Sequence, residues 1–154
     1  ATLDAKVHGL CKPVISANAN IAAAAAFPNS IFVFGDADGA TVTLPDSGDG
    51  SQIGKTFEFV VTVTATSNAH KVVFTDTTNE KIYGQVVAVD TDTSGQSRKF
   101  AAQAGDNFSA LSLNGTTTGI IGSRFTLTNV AADVWFAEGF IHHTGDGATP
   151  FATS

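Results

Sequence analysis

The sequence predicts an all-β, single-domain protein: an antiparallel β-sandwich or barrel with an N-terminal arm and almost no helix. The chain has 154 residues, which is the size of one domain, and it is rich in Gly, Thr, Val and Phe. Short stretches of apolar or alternating residues are separated every 8 to 12 residues or so by clusters of Gly, Asp, Asn and Ser. Such short connections favour hairpins between antiparallel neighbours.

The first 20 residues, ATLDAKVHGLCKPVISANAN, show no sustained period and are predicted to form an arm or an irregular first strand. The domain proper is therefore expected over residues 21–154. It opens with IAAAAAF, residues 21–27, for which a single helical turn and an extended segment are both open. Alanine favours helix, but the run is too short to nucleate one unaided, and Pro28 ends it.

About eight to ten short strands follow from Ser30 onward. The clearest is TFEFVVTVTAT, residues 56–66, in which side chains alternate between two faces. One face carries Phe57, Phe59, Val61 and Val63, and the other carries Glu58, Thr62 and Thr64. Because the second face is only partly polar, we expect it to meet solvent or another subunit. The last strong strand is DVWFAEGFIHH.

Composition excludes several classes of function. The net charge is −6 and the eight basic residues are scattered, which argues against nucleic acid as a partner. Cys11 is the only cysteine, so neither an intrachain disulfide nor a cysteine-based zinc site is expected. No apolar run approaches the roughly 20 residues of a membrane span, and the N-terminus lacks a signal-peptide pattern. We therefore expect no membrane partner and synthesis in the cytoplasm.

The acidic stretch GDADGATVTLPDSGDG, residues 35–50, invites comparison with a calcium-binding loop. Calcium requires six to eight oxygen ligands, and only Asp36, Asp38 and Gly39 match the start of such a loop. The intervening ATVTLP has the pattern of a strand, which would hold Asp46 and Asp49 away from the first pair. The stretch is therefore predicted to be two turns around one strand, with no metal.

No catalytic residue is predicted. Cys11 has no catalytic signature around it, and no serine stands in a nucleophile elbow. Glu58 and Glu138 fall within Phe-rich strands, where we expect outward-facing, solvated carboxylates. His142 and His143 would alternate between the two faces of a strand, which predicts a solvent or interface histidine. An oligomer axis beside that strand could bring three copies of one histidine together. We expect neither an enzyme nor a cofactor.

Three segments, GATVTLPDSGDGSQIGKTFEFVVTVTATSNAHKVVF, LNGTTTGIIGSRFTLTNVAADVWF and HHTGDGATPF, resemble a family of bacteriophage virion proteins. In their order and spacing they cover roughly residues 30–151. The family comprises capsid decoration, or cement, proteins and related head-surface structural proteins. The resemblance implies a homotrimer at local threefold positions on the outer capsid surface, with the major capsid protein as its partner. It carries over no catalytic residue.

A decoration protein acts by binding energy alone, and the segment outside the resemblance is the one available to reach a neighbouring capsid subunit. We expect the capsid contact within the N-terminal arm, at Lys6, Val7, His8 and Leu10. The half-apolar strand faces and the scarcity of charge agree with a permanent assembly.

Two other functions remain open from the sequence. One is a head or tail fibre tip that recognises host glycans, and the other is a small secreted or cell-surface β-sandwich. Twelve Phe against one Trp and one Tyr disfavour carbohydrate binding. Glycan recognition would require an exposed Trp135 or Tyr83 beside polar side chains, whereas a decoration protein is expected to have Trp135 buried or at a subunit seam.

Overall fold

A computed structural model describes residues 11–93 and 95–153 of the chain. In these ranges it contains eleven strands, and one 3-10 turn at Ala23–Ala25. The strands are β1 (Val14–Ala17), β2 (Ile31–Phe34), β3 (Thr41–Leu44), β4 (Thr56–Val61), β5 (His70–Phe74), β6 (Lys81–Asp90), β7 (Arg98–Ala102), β8 (Ala110–Leu113), β9 (Ile120–Ala131), β10 (Val134–His143) and β11 (Phe151–Ala152). Within the described ranges, no helix has the length and apolar character needed to cross a membrane.

The strands form two sheets. One has seven strands in the order β1-β2-β4-β9-β10-β6-β7, and the other has four in the order β11-β8-β5-β3. The prediction of nearly all β structure is confirmed. The predicted antiparallel arrangement is wrong, because β1 with β2, β2 with β4, β6 with β10 and β3 with β5 are parallel pairs.

Two of the four parallel pairs arise because the chain alternates between the sheets from β2 to β6. After β2 it enters the four-stranded sheet as β3 and returns as β4, so β4 runs in the same direction as its neighbour β2. In the same way β5 lies parallel to β3. Turn-forming residues predict where the chain reverses, but they do not predict which sheet receives the next strand. The expectation of hairpins therefore failed in this half of the chain.

The inward sides of both sheets contribute to one hydrophobic cluster. In the seven-stranded sheet, Phe59 lies between Phe32 and Phe125 on the neighbouring strands, with ring centroids 5.5 and 5.0 Å apart. The four-stranded sheet contributes Phe74, whose ring lies 5.3 Å from that of Trp135. Full burial of one such side chain stabilises the fold by roughly 1.5–3 kcal/mol, and the contact of Phe74 with Trp135 helps to hold the two sheets together.

The strand predicted over residues 56–66 ends at Val61. Its first two phenylalanines are buried on the predicted face. Beyond them the backbone amides of Thr62 and Val63 both donate to the carbonyl of Phe34, at 2.9 and 3.2 Å, which breaks the regular ladder. The side chain of Val63 is 36% exposed, so its predicted place on the apolar face is wrong.

The segment before β2 has more regular structure than its sequence period suggests. Val14–Ala17 forms β1, an edge strand parallel to β2, within the residues for which an arm or an irregular strand was predicted. The alanine run forms a single 3-10 turn. Just before it, Ile21 exchanges two 2.8 Å backbone hydrogen bonds with Thr41 and Thr43 of β3. The chain is thereby attached to both sheets before β2 begins.

Gly139 in β10 is required by close backbone contact. It has φ +148°, and a Cβ added there would lie 2.4 Å from the carbonyl oxygen of Arg124 and 2.5 Å from the Cα of Phe125. Gly54 also has positive φ, at +83°, but a Cβ there meets nothing within 4 Å. A comparison of alanine substitutions at the two glycines therefore distinguishes the effect of close backbone contact from that of the positive φ angle.

We predict that Gly139→Ala lowers the free energy of unfolding by about 3 kcal/mol or more, because backbone of β9 must move. Gly54→Ala should cost only about 1 kcal/mol, from backbone strain alone. Urea unfolding followed by tryptophan fluorescence measures both. Equal losses for the two variants would contradict the close approach of β9 and β10.

Candidate interaction surface

The outward face of the seven-stranded sheet is the most distinctive surface of the protein. In β10, Trp135, Ala137 and Ile141 point into the core, and Phe136, Glu138 and Phe140 point outward. Two of these, Phe136 and Phe140, are 49% and 59% exposed. β10 is an interior strand, flanked by β9 and β6, so these rings stand within the sheet and not at its edge.

Neighbouring strands extend the apolar character of this face. Phe140 lies in register with Val87 of β6, and Phe136 lies in register with Tyr83 of the same strand. The rings of Phe136 and Tyr83 meet edge to face, with centroids 6.5 Å apart. We call the outward face, with its side chains from β1, β2, β4, β9, β10 and β6, the outer face. Its members include Val14, Ile31, Val33, Val60, Arg124, Thr126, Tyr83, Gln85, Val87, Phe136, Glu138 and Phe140.

Two shallow hollows lie on either side of β10. One, of about 540 Å³, is lined by Tyr83, Gln85, Phe136 and Glu138 together with the end of β7. The other, of about 360 Å³, lies between Arg124 and Phe140 and is also lined by Glu138. Glu138 is exposed, as predicted, and it forms no ion pair with another described residue. The outer face thus combines projecting rings, adjacent hollows and one uncompensated carboxylate.

A three-residue ion cluster stands on the same face. Glu58 of β4 points outward but is only 2% exposed, because Lys12 and Arg124 cover it. The ammonium of Lys12 lies 2.8 Å from one carboxylate oxygen, and the guanidinium of Arg124 contacts the other. The prediction of a solvated Glu58 is therefore wrong. Lys12 and Arg124 lie far from Glu58 in the sequence, and only folding brings them beside it.

Opposing effects set the pKa of Glu58. Burial alone would raise it, but the hydrogen bond from Lys12 and the positive charges of Arg124 and Lys12 lower the pKa below the ordinary 4.5. A carboxyl group with a lowered folded-state pKa stabilises the protein above its unfolded-state pKa. That stabilisation is lost as the pH falls through the folded-state value. Glu58 therefore makes the fold sensitive to acid below about pH 4.5.

We predict that Glu58→Gln lowers the free energy of unfolding by about 1–3 kcal/mol at neutral pH, and that this difference is smaller at about pH 3, below the ordinary pKa of the group. The amide cannot replace the charge that Lys12 and Arg124 surround. Urea titrations at both pH values, at one protein concentration, measure the effect. Lys99→Gln, an exposed charge on β7, is the control and should change stability by less than about 0.5 kcal/mol. If the loss of unfolding free energy in Glu58→Gln did not depend on pH, the ion pairs of Glu58 with Lys12 and Arg124 would not be the cause of its stabilising effect.

The acidic stretch at residues 35–50 forms two turns around β3, as predicted. In each turn an aspartate accepts a backbone N–H two residues ahead. Asp36 accepts the N–H of Asp38 at 3.0 Å. Asp46 accepts the N–H of Gly48, and Asp49 accepts that of Ser51, at 2.8 Å each. These are local turn hydrogen bonds of the kind that favours Asp at such positions.

One residue of this stretch has a role that the sequence did not reveal. Ser47 donates both its backbone N–H and its hydroxyl to the carboxylate of Glu80, at 2.5 and 2.9 Å. Its hydroxyl also accepts the backbone N–H of Asp133, at 3.1 Å, in the turn between β9 and β10. Ser47 and Glu80 are both fully buried. The second turn thereby joins the start of β6 to the β9–β10 connection.

Glu80 is also the acceptor for Trp135, whose indole Nε1 lies 2.5 Å from it. Burial, followed in the same direction by the nearby charge of Asp133, raises the pKa of Glu80, although the hydrogen bonds from Ser47 and Trp135 oppose that shift. In the described part of the chain, Asp46, Glu80 and Asp133 form the one group of three or more acidic, His or Cys side chains whose ligand atoms lie within 4.8 Å of one another. The donors around Glu80 account for its position without an ion.

We predict that Glu80→Gln costs about 1–3 kcal/mol of unfolding free energy, since one of three buried donors then faces an amide NH₂. Trp135→Phe removes one of those donors. In a double-mutant cycle with Trp135→Phe, the two losses should be non-additive by about 1 kcal/mol. Additive losses, measured by urea unfolding followed by circular dichroism, would contradict the hydrogen bond.

The histidines divide between the two faces of their strands. His142 is half-buried on the outward side, and His143 is fully buried with its Nδ1 3.2 Å from the carbonyl of Gly145. The predicted alternation is confirmed, and His142 is the histidine of the pair that faces outward. His70 is also buried, where it stacks on Phe34 at 4.7 Å and its Nε2 lies 2.8 Å from the carbonyl of Val63. These two histidines belong to the packing of the protein.

The predicted capsid-contact residues Lys6, Val7, His8 and Leu10 lie outside the described residues. The described chain begins at Cys11, and its next residue, Lys12, already contacts Glu58 on the outer face. Trp135, the residue on which the glycan and decoration hypotheses differ, is fully buried. Tyr83 is half-buried beside the exposed ring of Phe136.

The chain was compared with protein-family models, with curated proteins and with solved structures. None of the three comparisons found a match. The outer face and the sequence patterns are therefore the observations on which a function can be argued.

Proposed function

We propose that this protein is a virion structural protein that decorates and stabilises the outer surface of a phage capsid as a homotrimer. The observation that carries the proposal is the outer face, on which Phe136 and Phe140 stand exposed on an interior strand of the seven-stranded sheet. Broad apolar surfaces of this kind mark contacts between proteins. The resemblance of the chain to decoration proteins supports the capsid as the partner.

The finer architecture is also part of this proposal. We propose that the two mixed sheets form a β-sandwich, since their inward side chains share one cluster and Phe74 of one sheet packs on Trp135 of the other. A rigid two-layer body suits a protein that acts by contact alone. The two most buried carboxylates, Glu58 and Glu80, are both engaged in structural contacts.

The mechanism is mechanical reinforcement. Residues 1–10, including Lys6, Val7, His8 and Leu10, bind the major capsid protein, and each trimer carries three copies of this segment. After one copy has bound, the other two act at high local concentration, so the trimer holds three capsid subunits together far more tightly than one contact would. The bridged subunits then resist outward pressure from the packaged genome.

Mixing the purified protein with undecorated phage heads and sedimenting the heads tests this function. We expect the full chain to sediment with the heads, and a chain lacking residues 1–10 to remain in the supernatant. The shortened chain should keep its fold, since β1 starts at Val14 and Lys12 is retained. Circular dichroism and gel filtration provide that control. If the full chain does not sediment with the heads, the decoration hypothesis is wrong. If the shortened chain still sediments with them, residues 1–10 are not the capsid contact.

One observation favours the fibre-tip alternative. The hollow beside β10 places Tyr83 and Phe136 next to Gln85 and Glu138, which combines aromatic rings with polar groups as sugar-binding sites do. Trp135 cannot serve such a site because it is fully buried. If the protein binds host cells and enzymatic removal of the cell-surface glycans abolishes that binding, the glycan function replaces the decoration function. Binding to phage heads without binding to host cells favours decoration.

A further inference from the structure

We propose that the outer face is the surface through which copies of this chain contact one another. The inference rests on the homotrimer of the proposed function and assigns that assembly to named side chains. Its central members are Phe136, Glu138 and Phe140 of β10, with Tyr83 of β6 and Arg124 of β9 beside them.

Shape is the first argument for a second copy as the occupant. The exposed rings of Phe136 and Phe140 project from β10, and each stands at the border of a hollow on the same face. In a trimer each chain contacts its two neighbours through different patches, and the outer face offers projecting rings for one contact and hollows for the other. Interfaces between identical subunits are also more apolar at their centre than transient contacts are. Both properties fit a copy of this chain.

Charge is the second argument. Lys12 and Arg124 supply two positive charges and Glu58 supplies one negative charge, so this cluster keeps one excess positive charge. Glu138 supplies a negative charge that no other described residue pairs with. The outer face therefore presents this cationic cluster and the carboxylate of Glu138 as charges of opposite sign, and Arg124 and Glu138 line the same hollow. When two copies meet, the carboxylate of one can approach the cations of the other, which favours association of like chains.

The size of the face is the third argument. Seven strands about 4.8 Å apart span roughly 29 Å, and strands of four to twelve residues at about 3.3 Å each span roughly 13 to 40 Å. The resulting area of roughly 400 to 1,200 Å² brackets the ~800 Å² that each partner contributes to a standard protein interface. The face is large enough for stable association between copies.

The test compares the assembly of four chains by sedimentation velocity over a range of concentrations. They are the wild type, the double variant Phe136→Thr/Phe140→Thr, the single variant Glu138→Arg, and the control Ile53→Thr. Threonine keeps the strand preference of these positions, and both rings are largely exposed, so the fold should persist. Ile53 is equally exposed, at 54%, but lies in a turn outside the sheets. Circular dichroism confirms the fold of each chain.

We expect the wild type and Ile53→Thr to assemble alike. The double variant should need about a hundredfold higher concentration to assemble, and Glu138→Arg about tenfold, because its new cation would face Arg124 and Lys12. A double variant that assembles like the wild type overturns the inference and leaves the homotrimer standing. A double variant that assembles normally but no longer sediments with phage heads assigns the face to the capsid instead. A monomeric wild type overturns the homotrimer itself.

Discussion

The alternation of side chains along β10 is the constraint on which the rest of the structure depends. Successive side chains of a strand point to opposite sides, so one ten-residue segment supplies both Trp135 to the core and Phe136 to the surface. A shift of register by one residue would bury the exposed phenylalanines and expose the indole. β10 pairs along most of its length with β9 and β6, and this double pairing fixes the register.

Trp135, on the inward side of β10, belongs to a polar network around Glu80. Because Trp135 is directed into the core, its indole N–H needs an acceptor there, and the carboxylate of Glu80 supplies it. That carboxylate also holds Ser47, so the turn after β3 is tied to the same point. A buried carboxylate with three donors is costly to leave incomplete, which makes this network specific for one arrangement of the two sheets.

The outward-facing side chains of β10 belong to the candidate interaction surface. There the sheet carries aromatic and aliphatic side chains, and its one buried charge, Glu58, is compensated by Lys12 and Arg124. With that carboxylate covered, the exposed rings of Phe136 and Phe140 and the carboxylate of Glu138 are the groups that this face offers to a partner. This combination suits permanent contact with another protein, which is why we connect the face with assembly.

The sequence by itself determined the β-rich fold, the turn role of the acidic stretch and the alternation in β10, because each depends on residues close together in the chain. It did not determine the mixed sheets, since local turn chemistry does not specify which sheet receives the next strand. It also misjudged Glu58, whose covering cations lie 46 and 66 residues away in the chain. Only the tertiary structure brought such distant residues together. Long-range pairing therefore decided both the buried ion cluster and the shape of the outer face.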